Sequence, residues 1–127
     1  MYLLDSNTVI DYLKNALPQV SMQKLHSIVN TQPNISVITQ IELLGFNAPE
    51  QEQYITGTFV NGCFIYGLNN ATVQQTIALR KQYHIKLPDA IIAATALVND
   101  LKLLTRNIND FNKIENLKVT DPYNWQT

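Results

Sequence analysis

The sequence predicts a three-layer α/β/α sandwich around a mainly parallel central sheet, in one domain spanning residues 1–127. Short apolar runs suited to strands alternate with longer stretches of helical periodicity, and parallel neighbours in a sheet need helical crossovers of this kind. Several runs end in residues whose side chains cap helices, so strand passes to helix without a long loop. The length of 127 residues, 46% hydrophobic and 15% charged, suits one core and is short for two domains. No repeat, linker or low-complexity stretch divides it.

Tyr2-Leu3-Leu4 is the first strand, and Asp5-Ser6-Asn7-Thr8 supplies capping oxygens for a helix carrying Val9, Ile10, Leu13 and Leu17. Val20, Leu25, Ile28 and Val29 mark a second helix that stops at Thr31-Gln32-Pro33-Asn34, and Ile35-Ser36-Val37 follows as a buried strand. Thr39 to Gly45 reads as a short helix with a glycine stop. Pro49-Glu50 opens another, with proline and acid where a first turn favours them. Cys63-Phe64-Ile65-Tyr66 gives a third strand, and Asn70 is expected to cap a helix holding Val73, Ile77, Leu79 and Tyr83. Pro88-Asp89 starts the most apolar helix, whose Ile91, Ile92, Ala93, Ala96 and Leu97 predict burial on more than one side. Leu101 to Thr105 forms a fourth strand, Arg106 to Asp110 a polar loop, Leu117-Lys118-Val119 an edge strand, and Trp125 packs the tail.

The single cysteine, Cys63, makes no intrachain disulfide, and with His26 and His84 it offers too few ligands for a zinc site. A reducing, cytoplasmic setting fits, as does an N-terminus in which Asp5 interrupts any leader-like apolar run. Residues 53–79 are uncharged, yet glycine, asparagine and glutamine break them too often for a membrane span. The net charge of −1 gives no overall positive field. Its distribution is uneven: two bases and five acids precede Arg80, whereas seven bases and five acids lie from Arg80 onward.

Ligands of such sheets sit beyond the carboxyl ends of the strands, and four acids fall there. Asp5 follows the first strand, Glu42 lies in the helix after the second, Asp89 opens the apolar helix, and Asp110 follows the fourth strand. Helix capping, a dipole interaction and a turn would account for Asp5, Asp89 and Asp110 taken singly. Glu42 is flanked by Ile38, Ile41, Leu43, Leu44 and Phe46, so burial of that helix would leave its carboxylate unpaired unless a cation is shared. All-carboxylate ligation selects Mg²⁺ or Mn²⁺ over softer metals. The intervals of 37, 47 and 21 residues exclude any contiguous metal motif.

Four segments carry a resemblance: Leu3-Leu4-Asp5-Ser6-Asn7-Thr8-Val9-Ile10-Asp11, Thr39-Gln40-Ile41-Glu42-Leu43, Leu87-Pro88-Asp89-Ala90-Ile91-Ile92-Ala93-Ala94-Thr95-Ala96 and Leu104-Thr105-Arg106-Asn107-Ile108-Asn109-Asp110-Phe111. In order and over nearly the whole chain, they resemble the motifs of PIN-domain ribonucleases. The chain is most similar to the small VapC and FitB-like toxins of type II toxin–antitoxin pairs. The resemblance implies a metal-dependent endoribonuclease in which Asp5, Glu42, Asp89 and Asp110 gather one or two Mg²⁺ or Mn²⁺ ions, with Glu42 binding metal directly or through water, or orienting the attacking water. Some members carry an acid where this chain has Asn107, which makes Asn107 a supporting partner of the metal ligands. Ser6, Asn7 and Thr105 are similarly placed, although capping or ending a strand accounts for each equally well.

Arg80, Lys81 and Lys86 before the third acid, and Arg106 between the third and fourth, are candidates to hold RNA phosphates. A solvated helix face is the other reading of the first three, and pairing with a site carboxylate that of Arg106. The resemblance further implies a cognate antitoxin and a homodimer, and Tyr54, Ile55, Phe59 and Val60 would cover either a core or a partner. A stand-alone PIN nuclease and a noncatalytic PIN-like binding module remain alternatives. A receiver-like phosphoacceptor fits the spacing of the acids and the Thr105-Arg106-Asn107 loop less well.

Overall fold

The computed structural model describes residues 1–125. The order is β1 (Tyr2–Leu4), α1 (Ser6–Leu13), α2 (Gln19–Thr31), β2 (Asn34–Ser36), α3 (Val37–Leu44), α4 (Glu50–Asn61), β3 (Phe64–Tyr66), α5 (Asn70–Gln82), α6 (Leu87–Val98), β4 (Lys102–Leu104), α7 (Ile108–Phe111) and β5 (Val119–Thr120). Pro122–Asn124 adds a short 3-10 turn. Every strand pair is parallel: β4 lies between β1 and β5, and β2 pairs with β3. Between β1 and β2 the backbone ladder is replaced by a side chain. The buried Asn34 amide donates to the Tyr2 carbonyl at 3.0 Å and joins the two pieces of sheet.

Strand alternation sorts the core into two layers. Leu3 and Leu103 face one cluster with Leu79, Ala90, Ala93, Ala94 and Phe111, contributed by α5, α6 and α7. Leu4 and Leu104 face the other, with Ile35 of β2 and with Val9, Leu25, Leu43 and Val60 from the opposite helices. Residues 90–96 of α6 are all buried, as its sequence predicts, and their small alanines let neighbouring backbone come close. The predicted α/β sandwich is the fold observed.

Several boundaries move for local reasons. Ser36 ends β2 and caps α3 by accepting from the Thr39 N–H at 3.2 Å, so Val37 is helical and not part of the strand. Asn69, and not Asn70, caps α5, accepting from the Thr72 N–H at 2.9 Å. The polar loop predicted over 106–110 instead turns into α7, because Phe111 is drawn fully into the core. The edge strand slips to Val119–Thr120. In α4, Val60 is buried and Phe59 packs on the core, while Tyr54 and Ile55 face solvent, so core and surface divide the segment. Trp125 packs edge-on to Tyr2 at 5.3 Å with the Lys24 ammonium 4.8 Å from its ring centre. Among the described residues no helix is long and apolar enough to cross a membrane.

Because the Asn34 amide satisfies a strand carbonyl at the seam, Asn34→Ala leaves a polar group unpaired there. We expect a loss of about 1–3 kcal/mol, read as a lower urea midpoint with an unchanged m-value. An unchanged midpoint would remove Asn34 from the sheet's stability.

Candidate functional site

Asp5 stands where β1 becomes α1. Its backbone N–H still pairs with the Leu104 carbonyl of β4 at 3.0 Å, and its Oδ1 already caps α1 through the Ser6 N–H at 2.8 Å. The other oxygen, Oδ2, accepts from the Thr105 hydroxyl at 2.8 Å and the Asn7 amide at 3.2 Å. Thr105 is saturated in turn, since its Oγ1 also accepts from the Asn7 amide and the Asn107 N–H, both at 3.1 Å. Three donors occupy a carboxylate with about four acceptor sites. One position on Oδ1 is left for a further ligand. Capping and site-building are thus one arrangement at Asp5, and Ser6, Asn7, Thr105 and Asn107 all belong to it or to its immediate support.

Glu42 reaches the same place from α3, where its Oε1 accepts from the Ser6 hydroxyl at 2.6 Å. The burial expected of Glu42 is not observed. It is exposed, as are Ile41, Leu44 and Phe46, because the short α3 sends only Thr39 and Leu43 fully inward. What brings Glu42 to the site is a hydrogen bond to Ser6. Asp89 lies in the first turn of α6, and Asp110 in the first turn of α7 with its side chain exposed.

The charges act on one another. Burial raises the Asp5 carboxyl above its ordinary 3.8, against hydrogen bonds from Thr105, Ser6 and Asn7 that favour the anion, and Glu42 raises it further. Asp89 is raised by burial, then by Asp5, Asp110 and Glu42, with Lys86 opposing. All four predicted acids therefore share one electrostatic neighbourhood. Their chemistry fits a hard divalent cation, with oxygen donors only and Asp5 presented in a fixed orientation. Among the described residues, however, no three His, Cys, Asp or Glu side chains form a group close enough to enclose a metal ion. The arrangement is a shared electrostatic field and not an assembled metal cage.

Asp89 and Asp110 also line a cleft of about 780 Å³. Arg80, Lys81, Lys86 and Lys113 bring four cationic side chains to its wall, alongside Ile77, Tyr83 and Leu87. Arg80 is partly committed to the fold, donating to the Ile85 carbonyl at 2.7 Å. Arg106 does not line the cleft; its guanidinium pairs with Asp11, at 3.0 Å. Asp11 and Lys113 were invisible as site residues in the motif reading. Their spacing holds the signal: Asp11 lies one turn after Asn7, and Lys113 three residues after Asp110. Burial pushes the Cys63 thiol up to about 11, and its Sγ donates to the Phe59 carbonyl, so it is no nucleophile at neutral pH.

Raised carboxyls fix the sign of a pH effect. The native state holds protons that the unfolded chain releases near 3.8, so these groups favour folding less as pH rises from there through their raised native values. In chelator and low salt, the stability difference between Asp89→Asn and wild type should grow in favour of the variant over that rise, as read by thermal melts. A difference independent of pH would show that Asp89 does not feel the other acids.

The domain model called "PIN domain" matches residues 2–117. No curated protein sequence matches the chain significantly. Among solved structures, a chain of a toxin–antitoxin complex from Klebsiella pneumoniae is similar at 30% identity and a TM-score of 0.76, over 97% of this chain and 98% of that one. A chain of promoter-DNA-bound VapBC2 from Rickettsia felis is 24% identical, with a TM-score of 0.80 over 98% of both chains. One from DNA-bound VapBC of Salmonella typhimurium is 25% identical, with a TM-score of 0.79 over 95% of this chain and 97% of that one. With its acids gathered at the carboxyl ends of parallel strands, and with a family match over nearly its whole length, this chain belongs to the PIN-domain family.

Proposed function

We propose that this protein is a metal-dependent endoribonuclease and the toxin of a type II toxin–antitoxin pair. The observation that carries the reading is the meeting of Asp5, Glu42, Asp89 and Asp110 in one charged neighbourhood beside a cleft edged with bases. Asp5 and Asp89 are the first ligands of a Mg²⁺ or Mn²⁺ ion, with Glu42 and Asp110 completing the set or orienting water. When bound, such an ion supplies an activated water and neutralises charge on the attacked phosphate. The chain's own residues do the rest. Ser6 steers Glu42 through its hydroxyl, Thr105 and Asn7 fix the rotation of Asp5, and Asn107 holds the Thr105 oxygen through its backbone N–H. Lys81, Lys86 and Lys113, with Arg80, hold phosphates of the RNA flanking the cut, which the acids alone would repel.

A partner role accompanies the activity. Similar chains come from toxin–antitoxin complexes, and an antitoxin Arg or Lys placed among these acids would compete with the cation by direct charge exchange. The exposed Ile41, Leu44, Phe46, Tyr54 and Ile55 on and between α3 and α4 give protein partners, antitoxin or a second copy in a homodimer, an apolar surface to cover.

Asp5→Asn and Asp89→Asn should each reduce Mn²⁺-dependent cleavage of RNA by about 100-fold or more, Glu42→Gln nearly as much, and Asp110→Asn less, with folding intact by circular dichroism. Full activity of purified Asp5→Asn, after contaminating ribonuclease is excluded, would sink the mechanism. For the cleft, Lys81→Ala and Lys86→Ala should each lower the slope of log affinity against log salt by about 0.7, the value for one contact to single-stranded nucleic acid. Unaltered slopes would leave these lysines as solvated surface.

A further inference from the structure

Asp11 is a buried carboxylate, 7% exposed, one helical turn beyond Asn7 on α1. Arg106 comes from the segment after β4, distant in sequence, and its Nη1 donates to Asp11 Oδ2 at 3.0 Å. The Arg106 backbone N–H donates to Asn7 Oδ1 at 3.1 Å. Two adjacent groups of one residue are thus fastened to two successive turns of α1. Between these anchors and the site lie only Asn7 and Thr105, whose amide and hydroxyl grip the same oxygen of Asp5. Arg106 itself lies outside the cleft that Arg80, Lys81 and Lys86 line.

An exposed ion pair contributes little, but this one is lopsided: the Arg106 side chain is 51% exposed and that of Asp11 10%. Without its arginine, Asp11 is a buried charge with its cation gone, which forces it to take a proton or reach for solvent. Asp11 is fixed within a helix, so the element able to yield is the 105–107 segment. Displacing that segment slackens the Thr105 hydrogen bond on which the Asp5 rotamer depends. The Ser6 N–H still holds Oδ1, but on Oδ2 only the Asn7 amide at 3.2 Å remains, and Asn7 is itself kept in place through Thr105 Oγ1 and the Arg106 N–H of the displaced segment.

We propose that Asp11 and Arg106 are positioning residues: by clasping the 105–107 segment to α1, they hold the Asp5 carboxylate in the orientation that cation binding and RNA cleavage require, without touching RNA. The proposal rests on the nuclease reading, and it reassigns Arg106 from a phosphate contact to a brace. The two roles separate in kinetics. A phosphate contact acts on KM and on salt dependence, and it has no use for Asp11. A brace acts on kcat and metal affinity, and it makes Asp11 and Arg106 one unit.

The test uses the full chain, with Mn²⁺ binding measured by calorimetry in the absence of RNA and steady-state cleavage of an unstructured RNA measured beside it. Asp11→Asn and Arg106→Ala should each weaken Mn²⁺ binding and lower kcat roughly tenfold with KM unchanged. The double variant should be no worse than either single one, and Arg106→Lys, which keeps the charge, should recover much of the loss. A raised KM in Arg106→Ala with Asp11→Asn like wild type would overturn the clasp, as would lowered melting temperatures with Mn²⁺ affinity and kcat at wild-type values. If Arg106→Ala does not fold, Asp11→Asn against Arg106→Lys decides on the same readouts. Undiminished cleavage by Asp5→Asn would sink the nuclease reading itself, and the Mn²⁺ affinities would still decide whether the clasp orients Asp5.

Discussion

The parallel pairing of β1 with β4 is the constraint from which the rest follows. It sets Leu4 beside Leu104 and carries the Asp5 N–H onto the Leu104 carbonyl, so that the two chains leave the sheet together. Residue 5 and residue 105 then meet as neighbours although they lie 100 positions apart in sequence, and their side chains bond at 2.8 Å. An antiparallel pair would send one of these strand ends to the opposite edge. With both ends on one side, α1 and α7 begin there too, and the first turn of α7 carries Asp110; α6 instead runs into the start of β4, so that its own first turn, with Asp89, lies toward Asp5. The Thr8 hydroxyl, donating to the Leu104 carbonyl at 2.9 Å, adds a second tie between α1 and β4.

What was legible in the sequence is what depends on nearest neighbours or on period. Alternating Leu3 and Leu4, or Leu103 and Leu104, predicts strands with two covered faces, and the structure sends one leucine of each pair into each core layer. The apolar girth of α6 predicts its burial, and Asp5 is recognisable because a cap after a strand is a local pattern. The motif resemblance singles out Glu42, but the burial that its apolar neighbours predict does not occur: neighbours in sequence do not bury a two-turn helix that has only one packed side. The helix α7 was hidden because its cause is long-range; four residues hold helical geometry there while Phe111 sits in the core. The same limit hid the partner of Arg106. Nothing local distinguishes a guanidinium facing RNA from one facing a carboxylate 95 positions earlier in the chain.

Exposure is distributed among the acids in a way that keeps the fold viable. Of the four acids of the candidate site only Asp5 is buried, and it is the one supplied with three hydrogen-bond donors. Asp89 is half-buried, while Glu42 and Asp110 remain exposed, where water screens much of their repulsion. Had all four been interior, the repulsion and desolvation together would have kept most of them protonated, and a set of neutral carboxyls would hold a divalent cation weakly. Partial exposure limits that penalty and leaves side chains that can turn.

The arrangement that attracts a cation repels the substrate we assign to it, and the uneven placement of bases answers that conflict. A phosphate approaching four carboxylates meets a negative potential that decays over about 8 Å at physiological ionic strength, so cations farther away than that help little. The ammonium of Lys86 is near enough to oppose the rise in the Asp89 carboxyl, and Arg80, Lys81 and Lys113 share the cleft wall with Asp89 and Asp110. The net charge of −1 conceals this pairing of opposite fields, because acids at the strand ends are nearly balanced by bases that the α5–α6 junction and α7 bring alongside. Arg106, held by Asp11 in the brace we propose, is withdrawn from that balance. On the nuclease reading we propose, the attraction for RNA phosphates therefore falls to the cleft lysines and Arg80, which share their wall with Asp89 and Asp110.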